Sequence, residues 1–180
     1  GPQVTQRMRH QYKIDILEEL EGKTSNATPP IPLDTDCIIV TASGGEFRLV
    51  LHNNVGETRC GAHCLTIVFG QHGNRCTVMG LGNPCDKDSP MFTTSNAGAL
   101  VARGDANATK TWWVLLNREI GWVFVGLGTV PDRSPLLSGR LYDARNLQWT
   151  HVSFSNWREH VRLSCTFGDV GVDQMLIPRQ

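Results

Sequence analysis

The chain has 180 residues, of which 40% are hydrophobic and 19% charged, and its formal net charge is zero. This length allows one domain with an extension, or at most two small domains. Because 17 basic residues balance 17 acidic ones, no net positive field attracts nucleic acid or an anionic membrane. No apolar run approaches the length of a membrane-spanning helix. The opening Gly1-Pro2 resembles the remnant of a tag, so we expect the chain to be part of a longer protein.

The N-terminal segment from Val4 to Glu21 fits two periodicities. Apolar residues recur at every fourth position, which predicts an amphipathic helix that ends at Gly22. Tyr12, Ile14 and Ile16 also alternate with charged residues, as in a strand. The absence of proline and glycine favours the helix. We therefore predict a helical extension over residues 1–22, which covers part of the domain, joins it to the parent protein or forms a homodimer.

The composition changes after Gly22. Residues 23–35 are polar and contain Pro29, Pro30 and Pro32, which favour an extended, polyproline-like path. We predict that this segment is a linker and that a second domain spans residues 36–180.

The second domain consists of short apolar runs separated by turn residues. No internal repeat and no strand-helix alternation is present, so the pattern predicts an all-β domain, an antiparallel β-sandwich. Residues 81–95 and 129–140 are predicted loops, and residues 141–147 a helical turn or loop. The predicted strands are a meander of Cys37 to Thr41 and Phe47 to His52 around Gly44-Gly45, a hairpin of Leu65 to Phe69 and Cys76 to Met79, a short strand from Ala97 to Arg103, and two last strands, His151 to Phe154 and Val161 to Phe167.

A tryptophan-rich segment from Lys110 to Gly128 is the most informative stretch. Two apolar runs, Trp112 to Leu116 and Ile120 to Val125, flank a short polar break, which predicts a β-hairpin. Neither run alternates between apolar and polar residues, so both faces of the hairpin are apolar and both need cover. Another segment of the chain, a partner protein or a stacked ligand would supply it, and cover from the same chain is favoured.

Six cysteines are present, and several of them lie in apolar runs where a free thiol behaves as a small buried hydrophobe. This pattern slightly favours a reducing compartment such as the cytoplasm. Cys60, Cys64, His72 and Cys76 have spacings that zinc tolerates. A predicted strand of about 17 Å separates the two pairs, so separate thiols are favoured over a metal site.

Several segments together resemble the farnesoic acid O-methyltransferase domain family over residues 36–167. The resemblance implies a jelly-roll-like β-sandwich that serves as an interaction or recognition module in larger proteins. The segments that carry it, in chain order, are Phe47 to Asn54, Leu65 to Asn74 with Val78, Trp112 to Val114 continuing to Gly126-Leu127-Gly128, Tyr142-Asp143, and Val152 to Trp157.

The residues themselves do not support methyl transfer, despite the family name. A cofactor-binding turn needs glycines between a strand and a helix, whereas Gly80-Leu81-Gly82 and Gly126-Leu127-Gly128 are isolated pairs without a following helix. No Gly-x-Ser-x-Gly elbow or paired-carboxylate site is present. We predict a protein that is not an enzyme and needs no cofactor.

Recognition is therefore the predicted function, because tryptophan and tyrosine dominate interface hot spots and several arginines would form a polar rim near the tryptophans. Protein-protein interaction is the first hypothesis, a lectin-like carbohydrate-binding domain the alternative, and an enzyme with a site built from loops a further one. Trp149 and Trp157 lie among polar residues and are predicted to be exposed. The candidate binding residues are Trp149, Trp157, Arg133, Arg145, Arg158 and Trp113.

Overall fold

A computed structural model of the chain describes residues 10–16, 28–44, 46–54, 65–70, 75–79, 90–93, 109–119, 121–140, 149–156 and 161–169. Within these ranges every regular element is a strand, and no described helix is long and apolar enough to cross a membrane. The strands are β1 (Tyr12–Ile16), β2 (Ile31–Pro32), β3 (Cys37–Gly44), β4 (Phe47–His52), β5 (Leu65–Gly70), β6 (Arg75–Met79), β7 (Pro90–Thr93), β8 (Lys110–Asn117), β9 (Trp122–Leu127), β10 (Leu137–Arg140), β11 (His151–Asn156) and β12 (Val161–Phe167).

The strands form two six-stranded antiparallel sheets. Sheet A has the order β1-β12-β3-β8-β9-β10, and sheet B has the order β2-β11-β4-β5-β6-β7. The prediction of an all-β antiparallel fold is confirmed. Every described neighbour pair is antiparallel, a pairing that does not require the helical crossovers of parallel strands.

The main hydrophobic core contains apolar side chains from both sheets. Trp112 of sheet A contacts Phe47 and Phe69 of sheet B, with ring centroids 5.5 and 5.2 Å apart. The two phenylalanine rings stack on each other at 4.7 Å. Cys165 belongs to the same core, and burial raises the pKa of its thiol to about 12. The aromatic contacts hold the two sheets together as a sandwich.

The predicted tryptophan hairpin is confirmed as strands β8 and β9. Its residues from Trp112 to Leu116 are buried on both faces. Alternate residues enter two separate clusters, because successive side chains of a strand point to opposite faces. Trp112 lies in the main core, whereas Trp113 lies on the far side of sheet A with Cys37, Leu115 and Phe124.

The helix predicted over Val4 to Glu21 is wrong for its described part. Residues Tyr12–Ile16 form β1, which pairs with the edge of β12, and the Tyr12 ring contacts Phe167. The alternating pattern prevails because pairing with β12 satisfies backbone groups of this segment and lets Tyr12 and Ile14 pack against the main core. The other residues of the predicted helix lie outside the described ranges.

The predicted linker also contributes to the sandwich. Ile31 is buried, and the two residues of β2 pair with β11. The division of the chain at residue 36 stays a prediction, although strands from both sides of it lie in the same two sheets.

The predicted meander of the first two domain strands is wrong. Strand β3 pairs with β12 and β8 in sheet A, whereas β4 pairs with β11 and β5 in sheet B. Gly44 has a φ of 106°, a conformation that favours glycine and lets the chain pass from one layer to the other.

Other strand predictions have mixed outcomes. The β5–β6 hairpin is confirmed, and the last two predicted strands are present as β11 and β12, in different sheets. Strands β7 and β10 lie in segments that were predicted to be loops. The strand predicted from Ala97 to Arg103 and the helical turn over residues 141–147 lie outside the described residues.

We expect Gly126→Ala to lower the free energy of unfolding by about 3 kcal/mol, as overpacking does. A methyl group on Gly126 would overlap the indole of Trp113, its neighbour across the hairpin. Gly128→Ala is the matched control, because that site is open but has a φ of 99°, so its cost should be about 1 kcal/mol. Urea denaturation would measure both changes. In a Trp113→Phe background the cost of Gly126→Ala should fall, and an unchanged cost would contradict the packing assignment.

Candidate functional site

The far side of sheet B, opposite the main core, carries polar side chains in a buried setting. Five of them have exposed fractions of only 0 to 5%. Buried polar groups are more informative than buried apolar ones, since each must be hydrogen-bonded or serve a purpose. We call this group the polar strip: Arg48, His52, Thr66, Ser153 and Ser155.

Alternation within three neighbouring strands creates the polar strip. Strand β4 sends Phe47, Leu49 and Leu51 into the main core, so the residues between them point to the far side. The same alternation operates in β5 and β11. The register then sets His52 opposite His151, Arg48 opposite Ser155, and Val50 between Ser153 and Thr66.

A directed hydrogen-bond chain runs through His52. The backbone N–H of Asn54 donates to His52 Nδ1 at 2.9 Å, so this nitrogen carries no proton. The neutral ring must then be protonated at Nε2, which donates to Ser153 Oγ at 2.8 Å. Ser153 uses an oxygen lone pair in this bond, and its hydroxyl hydrogen points elsewhere.

This tautomer excludes a nucleophile-base role for the pair. A base that activates serine must accept the serine proton at the facing nitrogen, but His52 presents an N–H there. Burial lowers the pKa of His52, and the neighbouring His151 lowers it further. The two rings lie 6.0 Å apart and are nearly parallel. His52 therefore works as a fixed neutral donor that orients Ser153.

The polar strip is closed at one end and open at the other. At the closed end, Glu46 lies 3.7 Å from the buried Arg48 guanidinium. At the open end, His151 is half-buried and Asn54 is exposed. The hydroxyl of Thr150, also exposed, lies 2.7 Å from His151 Nδ1. The strip therefore meets solvent at this end.

The far side of sheet A is different in character. Beside its buried cluster, Trp122 and Ile39 are only partly buried. Trp122 stacks on Phe124 at 5.7 Å, and the exposed Arg140 lies directly across from it in β10. We call this surface the aromatic face: Cys37, Ile39, Trp113, Leu115, Trp122 and Phe124.

The predicted binding residues do not converge on either surface. Trp149 is 2% exposed and packs in the main core, so the prediction that it is exposed is wrong. Its carbonyl accepts a hydrogen bond from Arg118, which also pairs with Asp36. Trp113 is fully buried in the aromatic face, and Arg133 is exposed after β9. Trp157, Arg145 and Arg158 lie outside the described residues.

The structure describes only one of the four residues whose spacing zinc would tolerate. Cys60, Cys64 and His72 lie outside the described ranges, and Cys76 belongs to β6. Among the residues that the structure describes, no group of three histidine, cysteine or acidic side chains is placed to hold a metal.

Sequence reasoning missed the polar strip. The signal was present as alternation, with Arg48 and His52 interleaved with apolar residues in β4, and serines interleaved with Val152 and Phe154 in β11. The alternation does not show that these residues lie close together in space, since His52 and Ser153 are 101 residues apart in the chain.

We expect acid to destabilise the protein through His52. Its native pKa lies below the ordinary value of 6.5, so below pH 6.5 the unfolded state binds more protons than the native state. The stabilising contribution is complete above that pH and is lost as the pH falls through the native pKa. Urea denaturation at about pH 7 and about pH 5 would measure it. His52→Gln should flatten this dependence, and an equal slope in both proteins would refute the assignment.

Comparisons with known proteins give no family. No protein-family model matches the sequence, and no curated protein matches it. Among solved structures, arcelin-5, a lectin-like defense protein from Phaseolus vulgaris, matches with 11% identity and a TM-score of 0.43, over 87% of this chain and 97% of that chain. Lectin I from Ulex europaeus, in complex with the methyl glycoside of α-L-fucose, matches with 8% identity and a TM-score of 0.46, over 87% and 97%. Peanut lectin with a nine-residue peptide matches with 9% identity and a TM-score of 0.44, over 88% and 97%. At these identities and TM-scores, neither a family nor a ligand follows for this chain.

Proposed function

We propose that this chain is a non-catalytic recognition module of a larger protein and that it binds carbohydrate through the polar strip. The observation that carries the proposal is the buried polar far side of sheet B. A ligand can reach this face only at its open end, where His151 is half-buried and Thr150 and Asn54 are exposed, because the residues of the strip itself are 0 to 5% exposed.

The chemistry of the strip suits sugar hydroxyls. Serine and threonine hydroxyls each donate and accept hydrogen bonds, and a neutral histidine offers one donor and one acceptor. A sugar hydroxyl has the same dual character, so the hydroxyl of Thr150 and the ring of His151 at the open end can pair with it, whereas both nitrogens of His52 are already bonded within the protein.

Binding without catalysis is consistent with the fixed tautomer of His52. The only serine-histidine pair recorded among the described residues has its proton on the wrong nitrogen for base catalysis. The pair instead presents an oriented hydroxyl, which is what a binding site requires.

Protein-protein interaction is the second candidate, and the aromatic face favours it. Trp122 is partly exposed, stacked on Phe124 and flanked by Arg140, the residue types that dominate interface hot spots. A homodimer through an N-terminal helix has no support, since Tyr12–Ile16 form a strand.

We expect His151→Ala to weaken glycan binding at least tenfold, about 1.4 kcal/mol, because this half-buried residue lies at the open end of the strip. A glycan array followed by titration calorimetry on the best ligand would measure the loss.

Ser164→Ala is the matched control, since Ser164 is half-buried on the far side of sheet A. It should bind as the unmodified protein does. An array without any bound glycan would refute the carbohydrate proposal, and so would equal affinity of His151→Ala and the unmodified protein.

We expect Trp122→Ala to abolish co-purification of protein partners with the full-length parent, if the aromatic face is an interface. Truncation of a central tryptophan typically costs about 2 kcal/mol or more of binding free energy. Quantitative mass spectrometry of the purified complexes would measure it, with Arg133→Ala as an exposed control away from this face. Full retention of every partner by Trp122→Ala would refute this second function.

A further inference from the structure

Strand β1 forms one edge of sheet A, with β12 as its single neighbour among the described strands. The other edges are β10 in sheet A and β2 and β7 in sheet B. Strands β2 and β7 contain Pro32 and Pro90, which lack a backbone donor and discourage pairing with a further strand. Strand β10 has only four residues and includes Gly139. Strand β1 has five residues without proline or glycine, so it is the edge best suited to accept another strand.

The side chains of β1 leave this edge partly open to solvent. Tyr12 and Ile14 pack against the main core but are only partly buried. Lys13, on the opposite face of the strand, is exposed. Every second residue of an antiparallel edge strand points its backbone N–H and C=O groups away from its neighbour. The edge therefore offers both backbone hydrogen-bonding groups and apolar surface to a second strand.

The sequence of β1 is complementary to itself when two copies run antiparallel. In a pairing about a two-fold axis through Ile14, Tyr12 stands opposite Ile16 of the second copy, and Lys13 stands opposite Asp15. Apolar positions then meet on the core side of the sheet. Each charged position meets one of opposite charge, and such cross-strand pairs stabilise a sheet.

Other registers of the same pairing lose this match. A shift by one residue sets charged positions opposite apolar ones, because successive residues of a strand belong to opposite faces. A shift by two residues sets Lys13 opposite Lys13, or Asp15 opposite Asp15, and like charges directly opposite each other destabilise the pairing. The register centred on Ile14 is therefore the one that pairs the whole strand with unlike charges opposed.

We infer that two copies of this chain form a homodimer by antiparallel pairing of β1 with β1, which joins their two A sheets into one continuous sheet. The interface is isologous, since a two-fold axis relates the two strands. A second copy is favoured over another protein because β1 complements its own charge pattern. The inference is independent of the ligand proposed for the polar strip, which lies on sheet B.

The test reverses the charges of β1 in the whole chain. Lys13→Glu should raise the dissociation constant of the dimer about tenfold or more, because acidic residues would then stand opposite each other at both positions. Asp15→Lys should do the same with basic residues. Sedimentation velocity over a range of protein concentrations would measure both effects. Arg133→Glu is the matched control, since this exposed residue lies between β9 and β10, towards the other edge of sheet A, and the change in charge is identical.

Mixing the two variants separates strand pairing from loss of fold. An equimolar mixture of Lys13→Glu and Asp15→Lys sets unlike charges opposite each other at both positions, so it should form a heterodimer although each variant alone associates weakly. The double variant Lys13→Glu/Asp15→Lys should regain the homodimer for the same reason.

Three results would overturn the proposal. The first is an unmodified chain that stays monomeric at every concentration. The second is a dimer that Lys13→Glu leaves intact, because its interface would lie elsewhere. The third is a failure of both the mixture and the double variant to associate, whereas association of either one supports pairing in the register centred on Ile14.

Discussion

The structure depends on the tryptophan pair of strand β8. One strand of sheet A must be apolar on both sides, because it faces the other sheet on one side and a second cluster on the other. Trp112 reaches across the sandwich to Phe47 and Phe69, and Trp113 lies against Gly126 on the far side. Trp112 thereby fixes the spacing of the two sheets, and Trp113 fixes the path of β9. The two positions are coupled, because a shift of one residue in the register of a strand moves every side chain to the other face.

This arrangement leaves the two sheets with unequal far sides. The far side of sheet A combines an apolar cluster, which need only be kept from water, with half-buried hydroxyl residues such as Thr41, which is bonded to Thr111. The far side of sheet B carries hydroxyls, imidazoles and a guanidinium, which need partners of defined position. Polar contacts fix the orientation of a small polar ligand, which is why the proposed carbohydrate site lies on sheet B and the proposed protein contact on sheet A.

Local features of the sequence predicted the hairpins, and non-local pairing decided the rest. The polar break after Leu116 and the loop after Phe69 are each specified within a few residues, and both hairpins are present. Gly44 marks a turn correctly but says nothing about which layer the next strand joins. Tyr12–Ile16 suit a helix or a strand, and the free edge of β12 decides between them. The site was missed for the same reason, because only the register of β4, β5 and β11 brings its residues together.

Three buried side chains of the sandwich, those of Trp112, Trp113 and Thr66, have a polar atom without a hydrogen-bond partner among the described residues. The packing around each side chain determines how far the cost of the missing bond is offset. The indole N–H groups of Trp112 and Trp113 are also buried without a partner among the described residues, but both rings lie in apolar clusters. There the burial of large apolar rings stabilises the fold by more than one lost hydrogen bond destabilises it. Thr66 has only one methyl group to bury, and its cross-strand neighbours are Val50 and Met79, so packing offsets less of the cost of an oxygen that has no partner among the described residues. Valine would fill the same space without that cost.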